Sequence, residues 1–360
     1  MNELMGLAVG AANCVRYGNV QPGESILLLT EPGTNELVIE AISFAAKSAG
    51  ADVCVLIKEP RAHNQPLDPV VAAAIKAADM LFDFGGPTSH SEPGFLACFD
   101  YGTRYLLVRP EPEALLAESA LFPDELLYFL GTRMHGLVRD NPALHITDDK
   151  GTDFRVEPTP GSVGGYIGSR PYECGPAIPG YIGTFPGATT VFGDLNYTAN
   201  GRLVVDAALS FDVPSEPIIF TVTDGWVTSI SGGGEADFMW ETARHLHNAT
   251  RLAECGLGLN PKVPLRPGAS QLPEARAVNV MSWTRRAGTF FFAMGGNHLL
   301  GGTDYSSATP MFGFLARPTI TAAEVTVVAE GRLVMTEEPD EPLVELCEKL
   351  GGTRWLTQAR

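Results

Sequence analysis

The sequence predicts an α/β domain built on a parallel sheet over residues 1–150, followed by a strand-rich α+β domain over residues 151–360. Three observations support this division. The chain has 360 residues, which is enough for two hydrophobic cores. Up to about residue 148, short apolar runs alternate with helical patterns, which indicates parallel strands covered by helices. After residue 150, strand patterns follow one another through turns, which is typical of antiparallel strands.

The first domain is predicted to begin with an amphipathic helix, because apolar residues recur at helical spacing from Leu4 to Val15. Apolar runs predict parallel strands at residues 25–30, 52–57, 80–84, 104–108 and 144–147. Helices are predicted at residues 35–50, 68–78, 92–101, 111–119 and 124–138. Asn35 is suited to cap the start of its helix and Gly50 to end it. This order of elements predicts a Rossmann-like domain.

The second domain is predicted to be irregular at first and then rich in hairpins. Residues 158–187 are rich in glycine and proline and contain GYIG twice, but no strand precedes them and no helix follows. A phosphate-binding loop is therefore rejected. Asp224-Gly225 predicts a hairpin turn. Strands are predicted at residues 202–205, 208–211, 218–223, 226–230, 278–283, 289–294 and 325–329, with a helix at 235–249.

The charge of the chain restricts its partners. Asp and Glu outnumber Lys and Arg by 42 to 25, which gives a formal net charge of -17, and no basic cluster occurs. Because phosphate binding requires a basic surface, no nucleic acid and no anionic membrane is expected as a partner. A small-molecule substrate is expected instead.

Cysteine spacing and the first residues indicate the compartment. The six cysteines form no C-x-x-C pair, which favours reduced thiols over zinc sites or disulfides. The apolar stretches are too short to span a membrane, and Glu3 without a preceding Lys or Arg argues against a signal peptide. We expect a cytoplasmic protein and a homo-oligomer, a dimer or higher.

Two histidines on the predicted helix 235–249 are excluded as a metal site. His245 and His247 are two residues apart, so their side chains point to different sides of a helix. Glu241 lies one turn before His245 and is placed to pair with it. No G-x-S-x-G motif occurs in the chain, so a serine nucleophile elbow is not expected.

The segment LAECGLGLNP, residues 252–261, contains the most informative carboxylate of the chain. Glu254 lies between apolar residues and precedes two glycines and an Asn-Pro pair, so we expect it at the mouth of a tight turn. A buried carboxylate is costly unless it is paired or used in function. Among apolar side chains it is suited to proton transfer near neutral pH.

This segment resembles the A-E-L-G-I-G-x-N-P motif of the aminopeptidase T family of metallopeptidases. KGTDF at 150–154, GTFFFAMGGN at 288–297, the Gly301-Gly302 pair and RPT at 317–319 resemble that family's other motifs in order and spacing. The 2,5-dihydroxypyridine 5,6-dioxygenases share the fold, and the stretch QPGESILLLTE with the later AGADV is similar to them. The resemblance covers nearly the whole chain and implies an aminopeptidase T-like second domain.

The resemblance also implies where metal ligands would lie, and most are replaced. The peptidases bind a metal pair through two glutamates, a histidine and a final H-x-D. These fall on Thr190, Glu254, Phe291, Pro310 and Phe312. The dioxygenases use a histidine near the Glu254 position together with H-x-D, so one potential ligand remains in either pattern. One carboxylate without an imidazole does not hold a catalytic transition metal, so we expect no metal and no other cofactor.

Three functional hypotheses follow. The first is metal-independent hydrolysis or ring opening of a small aromatic or heterocyclic substrate, with Glu254 as general acid and base in a pocket open between the two domains. His298 and Asp304 flank the Gly301-Gly302 turn and are further catalytic candidates. Little aminopeptidase activity is expected, because no metal is available as a Lewis acid. The residues assigned to substrate binding are Arg285, Arg286, Phe291, Pro310, Phe312 and Thr190.

The two arginines are assigned to a substrate carboxylate, which they would bind in bidentate fashion, although an exposed pair is the alternative. The second hypothesis is a metal-dependent aminopeptidase or ring-cleaving dioxygenase that uses Glu254, His298 and Asp304 as an unorthodox ligand set. The third is a small-molecule binding protein without catalysis. His90 follows a predicted strand of the first domain, where open α/β sheets bind ligands, but a local hydrogen bond in a turn is the favoured interpretation.

Overall fold

A computed structural model describes residues 2–60, 66–84, 98–159, 162, 166–167, 170–171, 179–180, 182–187, 189–205, 208–209, 213–264, 283–297 and 311–359. The chain divides into two compact units: Met1–Tyr128 with Arg170–Gly187, and Phe129–Ser169 with Ala188–Arg360. The chain thus returns to the first unit after it has begun the second. This division differs from a single boundary at residue 150.

The strands of the described residues are, in chain order, β1 (Ser25–Thr30), β2 (Asp52–Ile57), β3 (Met80–Asp83), β4 (Arg104–Val108), β5 (Leu144–Thr147), β6 (Asp153–Val156), β7 (Tyr166–Ile167), β8 (Arg170–Pro171), β9 (Ile182–Phe185), β10 (Thr189–Phe192), β11 (Asn200–Val205), β12 (Ala208–Leu209), β13 (Ile218–Thr223), β14 (Trp226–Ser231), β15 (Leu252–Gly258), β16 (Phe290–Met294), β17 (Met311–Leu315), β18 (Thr319–Ala322), β19 (Val325–Ala329) and β20 (Arg332–Leu333). The α-helices are Asn2–Tyr17, Glu36–Ser48, Pro69–Ala77, Pro112–Leu116, Asp124–Asp140, Gly233–Ala243, Val334–Glu337 and Glu341–Lys349.

The first unit contains a parallel sheet, as the sequence predicts. Its strands lie in the order β2-β1-β3-β4-β9, and each neighbouring pair is parallel. Helix Glu36–Ser48 begins where predicted, because the Asn35 side chain accepts a hydrogen bond from the Leu37 backbone N–H at 3.0 Å. Gly50 follows that helix with a positive φ of 87°, a conformation that glycine adopts without strain.

Strand β9 lies within the segment that was predicted to be irregular. Its four residues, Ile-Gly-Thr-Phe, pair in parallel with β4, from Tyr105 with Ile182 to Val108 with Phe185. The run is short and bordered by glycine and proline, so the sequence gives little local signal for a strand. Pairing with the edge of β4 accounts for the extended conformation, which is therefore a tertiary effect.

The second unit contains two antiparallel sheets that pack face to face. One has the order β14-β13-β11-β6-β5-β18-β19-β20, and the other β10-β15-β16-β17-β12. Phe220 of the larger sheet meets Phe292 of the smaller at 5.0 Å between ring centroids, and Phe154 meets Phe290 at 6.3 Å. These contacts place a buried aromatic core between the sheets.

Two predicted elements of the chain differ in the structure. Strand β5 was expected to close the parallel series, but it lies between β6 and β18 and is antiparallel to both. Only a short connection separates β5 from β6, and such a connection joins antiparallel strands, since a parallel crossover needs a dozen or more residues. The predicted helix 235–249 ends earlier, at Ala243.

Two further features concern the class of protein. Within the described ranges, no helix is long and apolar enough to cross a membrane. The described cysteines are free thiols, namely Cys14, Cys54, Cys98, Cys255 and Cys347.

Candidate active site

Glu254 lies in a central strand, not at the mouth of a turn as we expected. Strand β15 is paired on one side with β10 and on the other with β16. Cys255, the next residue, is opposite Phe192 on one neighbour and Phe292 on the other. The glycines of this segment suggest a turn in the sequence. In the sheet, Gly256 instead makes room for the Phe291 ring and Gly258 for the backbone of Arg286.

The register of the strands shows which side chains share a side of the sheet with Glu254. Directly paired residues of antiparallel strands point to the same side. Glu254 pairs with Ala293, and Ala293 pairs with Phe312. Because adjacent strands are ~4.8 Å apart, the backbones of Glu254 and Phe312 are separated by roughly 10 Å with the small Ala293 between them. We call this side of the smaller sheet the Glu254 face.

The next row of the Glu254 face is aromatic. Gly256 pairs with Phe291, which pairs with Phe314. A Cβ atom at Gly256 would lie 2.2 Å from Cζ of Phe291, so the Phe291 ring lies across the glycine, beside Glu254. Ring centroids are 6.2 Å apart for Phe291 and Phe312, 6.4 Å for Phe291 and Phe314, and 6.2 Å for the stacked pair Phe312 and Phe314. Aromatic surface therefore borders the carboxylate.

A short 3₁₀ turn, Trp283–Arg285, covers one end of the same face. Thr189 pairs with Gly258 and therefore points to the Glu254 face, where its hydroxyl donates to the Thr284 carbonyl at 2.7 Å. The Trp283 ring meets Phe314 edge-on at 6.3 Å between centroids. The turn thus extends the aromatic wall.

Both arginines that follow Thr284 are buried, with 8% of Arg285 and 7% of Arg286 exposed. They do not form an exposed pair. Arg285 Nη1 donates to the Thr284 hydroxyl, and Arg286 Nη1 donates to the Ala287 carbonyl at 3.4 Å. Burial and the neighbouring Arg332 lower the pKa of Arg286 to about 10.

The structure brings together some of the predicted site residues and separates others. Glu254, Phe291 and Phe312 share one face of the smaller sheet. Thr190 was assigned to the same pocket, but it pairs with Leu257 and points to the opposite face. This follows from the strand period of two, because residue 190 alternates with Thr189. The predicted candidates His90, His298, Asp304 and Pro310 lie outside the described residues.

The interpretation of His245 as a surface residue agrees with the structure. Its Nε2 lies 3.8 Å from Oε2 of Glu241, and 66% of the His245 side chain is exposed. Sequence reasoning missed Ala293, Phe314 and Trp283 as members of the site. The alternation of GTFFFAM would have placed Ala293 on the Phe291 side, but the strand partners needed for the other two residues are not visible in a sequence.

Cys255, next to Glu254, is not a candidate nucleophile. Burial raises the pKa of its thiol well above the usual range, and the charges of Asp194 and Glu254 raise it further. The thiol form is therefore favoured at neutral pH, and the thiolate is the reactive form.

The metal that the fold implies can be tested against the residues present. The described strand neighbours of Glu254 on its face are Val191, Ala293, Phe291 and Phe312, and none of these four side chains supplies a metal-binding atom. Elsewhere in the described ranges, no three His, Cys, Asp or Glu residues lie close enough together to hold a metal ion. The described donor set does not fit a transition metal, and we assign no chemical step to one.

A parallel sheet in one unit and an antiparallel sandwich bearing a carboxylate in the other define a mixed α/β protein with an aminopeptidase T-like fold. The chain belongs to the 2,5-dihydroxypyridine 5,6-dioxygenase family, whose model matches residues 11–335. A search of curated protein sequences finds no significant match.

Two solved structures show the same fold. A 2,5-dihydroxypyridine dioxygenase from Pseudomonas putida KT2440 aligns with a TM-score of 0.74 and 20% identity, over 91% of this chain and 96% of that one. The wild-type AmpT from Thermus thermophilus aligns with a TM-score of 0.61 and 14% identity, over 92% of this chain and 99% of that one. These likenesses establish the fold of the chain and not its reaction.

Proposed function

We propose that the protein is an enzyme that opens a small aromatic or heterocyclic ring by hydrolysis without a metal, with Glu254 as general acid and base. The observation that carries this proposal is the cross-strand row of Glu254, Ala293 and Phe312, bordered by the Phe291 ring. The row sets a carboxylate and aromatic surface roughly 10 Å apart over a small side chain, which suits a planar ring.

In the proposed reaction, Glu254 accepts a proton from a water molecule while the oxygen of that water adds to a ring carbon next to nitrogen. It then returns that proton to the ring nitrogen as the C–N bond breaks, so one water is consumed per ring opened. Since no Lewis acid takes part, the substrate must be electron-poor or strained. Arg285, next to the aromatic wall, is assigned to a substrate carboxylate. His298 and Asp304 remain candidates for a second proton-transfer group.

A second candidate function is ring cleavage by dioxygenation. Membership of the 2,5-dihydroxypyridine 5,6-dioxygenase family over residues 11–335 favours it. This function requires O₂ and a metal. The metal would be held by Glu254 together with His298 and Asp304. Both candidates use Glu254, but only dioxygenation consumes oxygen.

The two functions are separated by measuring substrate loss and O₂ uptake together. Purified protein is incubated with 2,5-dihydroxypyridine and related hydroxypyridines and cyclic amides, with a chelator or with added Fe²⁺. Ring opening in chelator without O₂ uptake supports hydrolysis. Fe²⁺-dependent uptake of one O₂ per substrate refutes hydrolysis and establishes the second function, whereas ligand binding without turnover refutes both.

The role of Glu254 is tested by Glu254→Gln, which keeps the size of the side chain and removes its basicity. Turnover should fall by roughly a hundredfold or more while the thermal unfolding midpoint is unchanged. Glu241→Gln is the matched control, because the Glu241 side chain is 59% exposed on a helix of the same unit. Full activity in Glu254→Gln would move the catalytic assignment to His298.

The proposal includes a cytoplasmic location and a homo-oligomer. The assembly is measured by light scattering on the purified protein, and a monomeric mass at micromolar concentration would contradict it.

A further inference from the structure

Arg286 is a buried cation that forms no ion pair with any residue the structure describes. Only 7% of the residue is exposed, and its Nε has no hydrogen-bond partner among the described residues. Within the described ranges, its guanidinium makes a hydrogen bond from Nη1 to the Ala287 carbonyl, which is long at 3.4 Å. Burying a charge is costly unless an opposite charge and hydrogen bonds compensate.

The neighbour of Arg286 is a second cation. Arg332 lies close enough to contribute to the lowered pKa of Arg286, after burial itself. Its own Nη1 is 3.1 Å from Oε2 of Glu337, and 61% of the Arg332 side chain is exposed. The Glu337 carboxylate therefore pairs with Arg332, whose side chain lies on the solvent side.

The backbone around the two arginines is fixed by direct contacts. Gln358 Nε2 donates to the Ala287 carbonyl at 2.6 Å and to the Gly331 carbonyl at 3.1 Å. A Cβ atom at Gly288 would lie 2.1 Å from the Gly331 oxygen, so the two turns are in contact. The turns that carry Arg286 and Arg332 are thus held against each other by hydrogen bonds and by direct backbone contact.

We propose that Arg286 binds the carboxylate of a small organic acid that enters past Arg332. The donors left over after Nη1 bonds to Ala287 are on the Nε and Nη2 edge, which a planar carboxylate accepts side-on in two parallel hydrogen bonds. Arg286 was expected to share the substrate site of Glu254, but it is bridged to Asn260, six residues further along the extended chain, so the two backbones are roughly 20 Å apart. The site is therefore separate from Glu254, and it stands whether or not the proposed ring opening is correct. Its net positive charge is also unusual in a chain of net charge -17.

The experiment compares acetate with chloride at equal ionic strength, using the thermal unfolding midpoint of the whole protein. For the wild type, acetate at ten times its dissociation constant should raise the midpoint by roughly 2–4 °C. Arg286→Met keeps the length of the side chain without the charge, and it should abolish this shift. Glu254→Gln should keep the shift, because its side chain belongs to the other site.

A second readout uses the sign of the stability change. In chloride alone, Arg286→Met should unfold at or above the wild-type midpoint, because it removes an uncompensated buried charge. If that variant does not fold, Arg286→Lys is used instead. It should raise the dissociation constant of acetate about tenfold, because lysine cannot form the bidentate contact.

Three results would overturn the proposal. The first is a wild type that responds equally to acetate and chloride, and the second is an Arg286→Met or Arg286→Lys variant that responds like the wild type. The third is a response to phosphate but not to acetate, which would exclude the carboxylate class.

Discussion

Replacing Gly256 by alanine should disrupt the Glu254 face by steric overlap alone. The backbone of Gly256 is not among those with positive φ, so the new side chain brings no conformational strain. Its Cβ would lie 2.2 and 2.4 Å from two atoms of the Phe291 ring, and 2.8 Å from the Thr190 carbonyl oxygen. The ring is 2% exposed and bordered by Phe312 and Phe314, so it has little room to move.

Overpacking of this kind costs about 1–3 kcal/mol, and we expect the upper end because a strand backbone atom also blocks the site. For a unit of this size, ~3 kcal/mol corresponds to a fall of roughly 6–12 °C in the unfolding midpoint. Circular dichroism during heating, with urea unfolding as a second measurement, gives both quantities.

The matched control is Gly234→Ala, in helix Gly233–Ala243, where a Cβ would meet nothing within 4 Å. Alanine there should raise stability by about 0.5–1 kcal/mol. Phe291→Leu should recover part of the loss in the Gly256→Ala background, with a coupling free energy of about 1–3 kcal/mol. Equal stability of the two alanine variants would show that the Phe291 ring does not lie across Gly256.

Three further predictions concern other parts of the molecule. Asn35→Ala removes the acceptor for the Leu37 N–H and should cost about 1 kcal/mol in urea unfolding, whereas Asn35→Ser should cost far less. Asp194→Ala removes a buried carboxylate that accepts three hydrogen bonds from Thr198 and Ala199, at 2.7–2.9 Å, and should cost about 3 kcal/mol in the same assay. Burial and Arg139 lower the pKa of His135 from 6.5 to about 4. Between pH 4 and pH 6.5, His135 is therefore protonated in the unfolded chain but neutral in the folded protein. Stability from this residue is therefore present above pH 6.5 and is lost as pH falls to 4, by up to about 3 kcal/mol. His135→Gln should flatten this part of the stability profile, and an unchanged slope would contradict it.

The elements with strong local signals were predicted closely. Strands β1, β2 and β4 have the predicted bounds, since each is a continuous apolar run between turn residues. The Asp224-Gly225 hairpin turn is present with φ of 46° and 75°, values that suit a type I′ turn. These features depend on residues close together in the sequence.

The features that were missed depend on pairing between distant segments. Glu254 was placed in a turn because glycines at 256 and 258 suggest one, yet Gly256 accommodates the Phe291 ring and Gly258 lies against the backbone of Arg286. Thr190 was placed on the wrong face because the direction of its side chain is decided by the register with Leu257. Nothing within a few residues of either position carries that information.

The return of the chain at Arg170–Gly187 affects the order in which the protein can be made. The parallel sheet of the first unit obtains its last strand, β9, only after β5 and β6 of the second unit have been synthesised. Until residue 185 leaves the ribosome, β4 is an open edge with unpaired N–H and C=O groups, and such edges promote aggregation. A nascent chain arrested while residues 182–187 are still inside the ribosome should therefore bind chaperones more strongly than one arrested after these residues have emerged, although the two exposed segments differ by only a few amino acids.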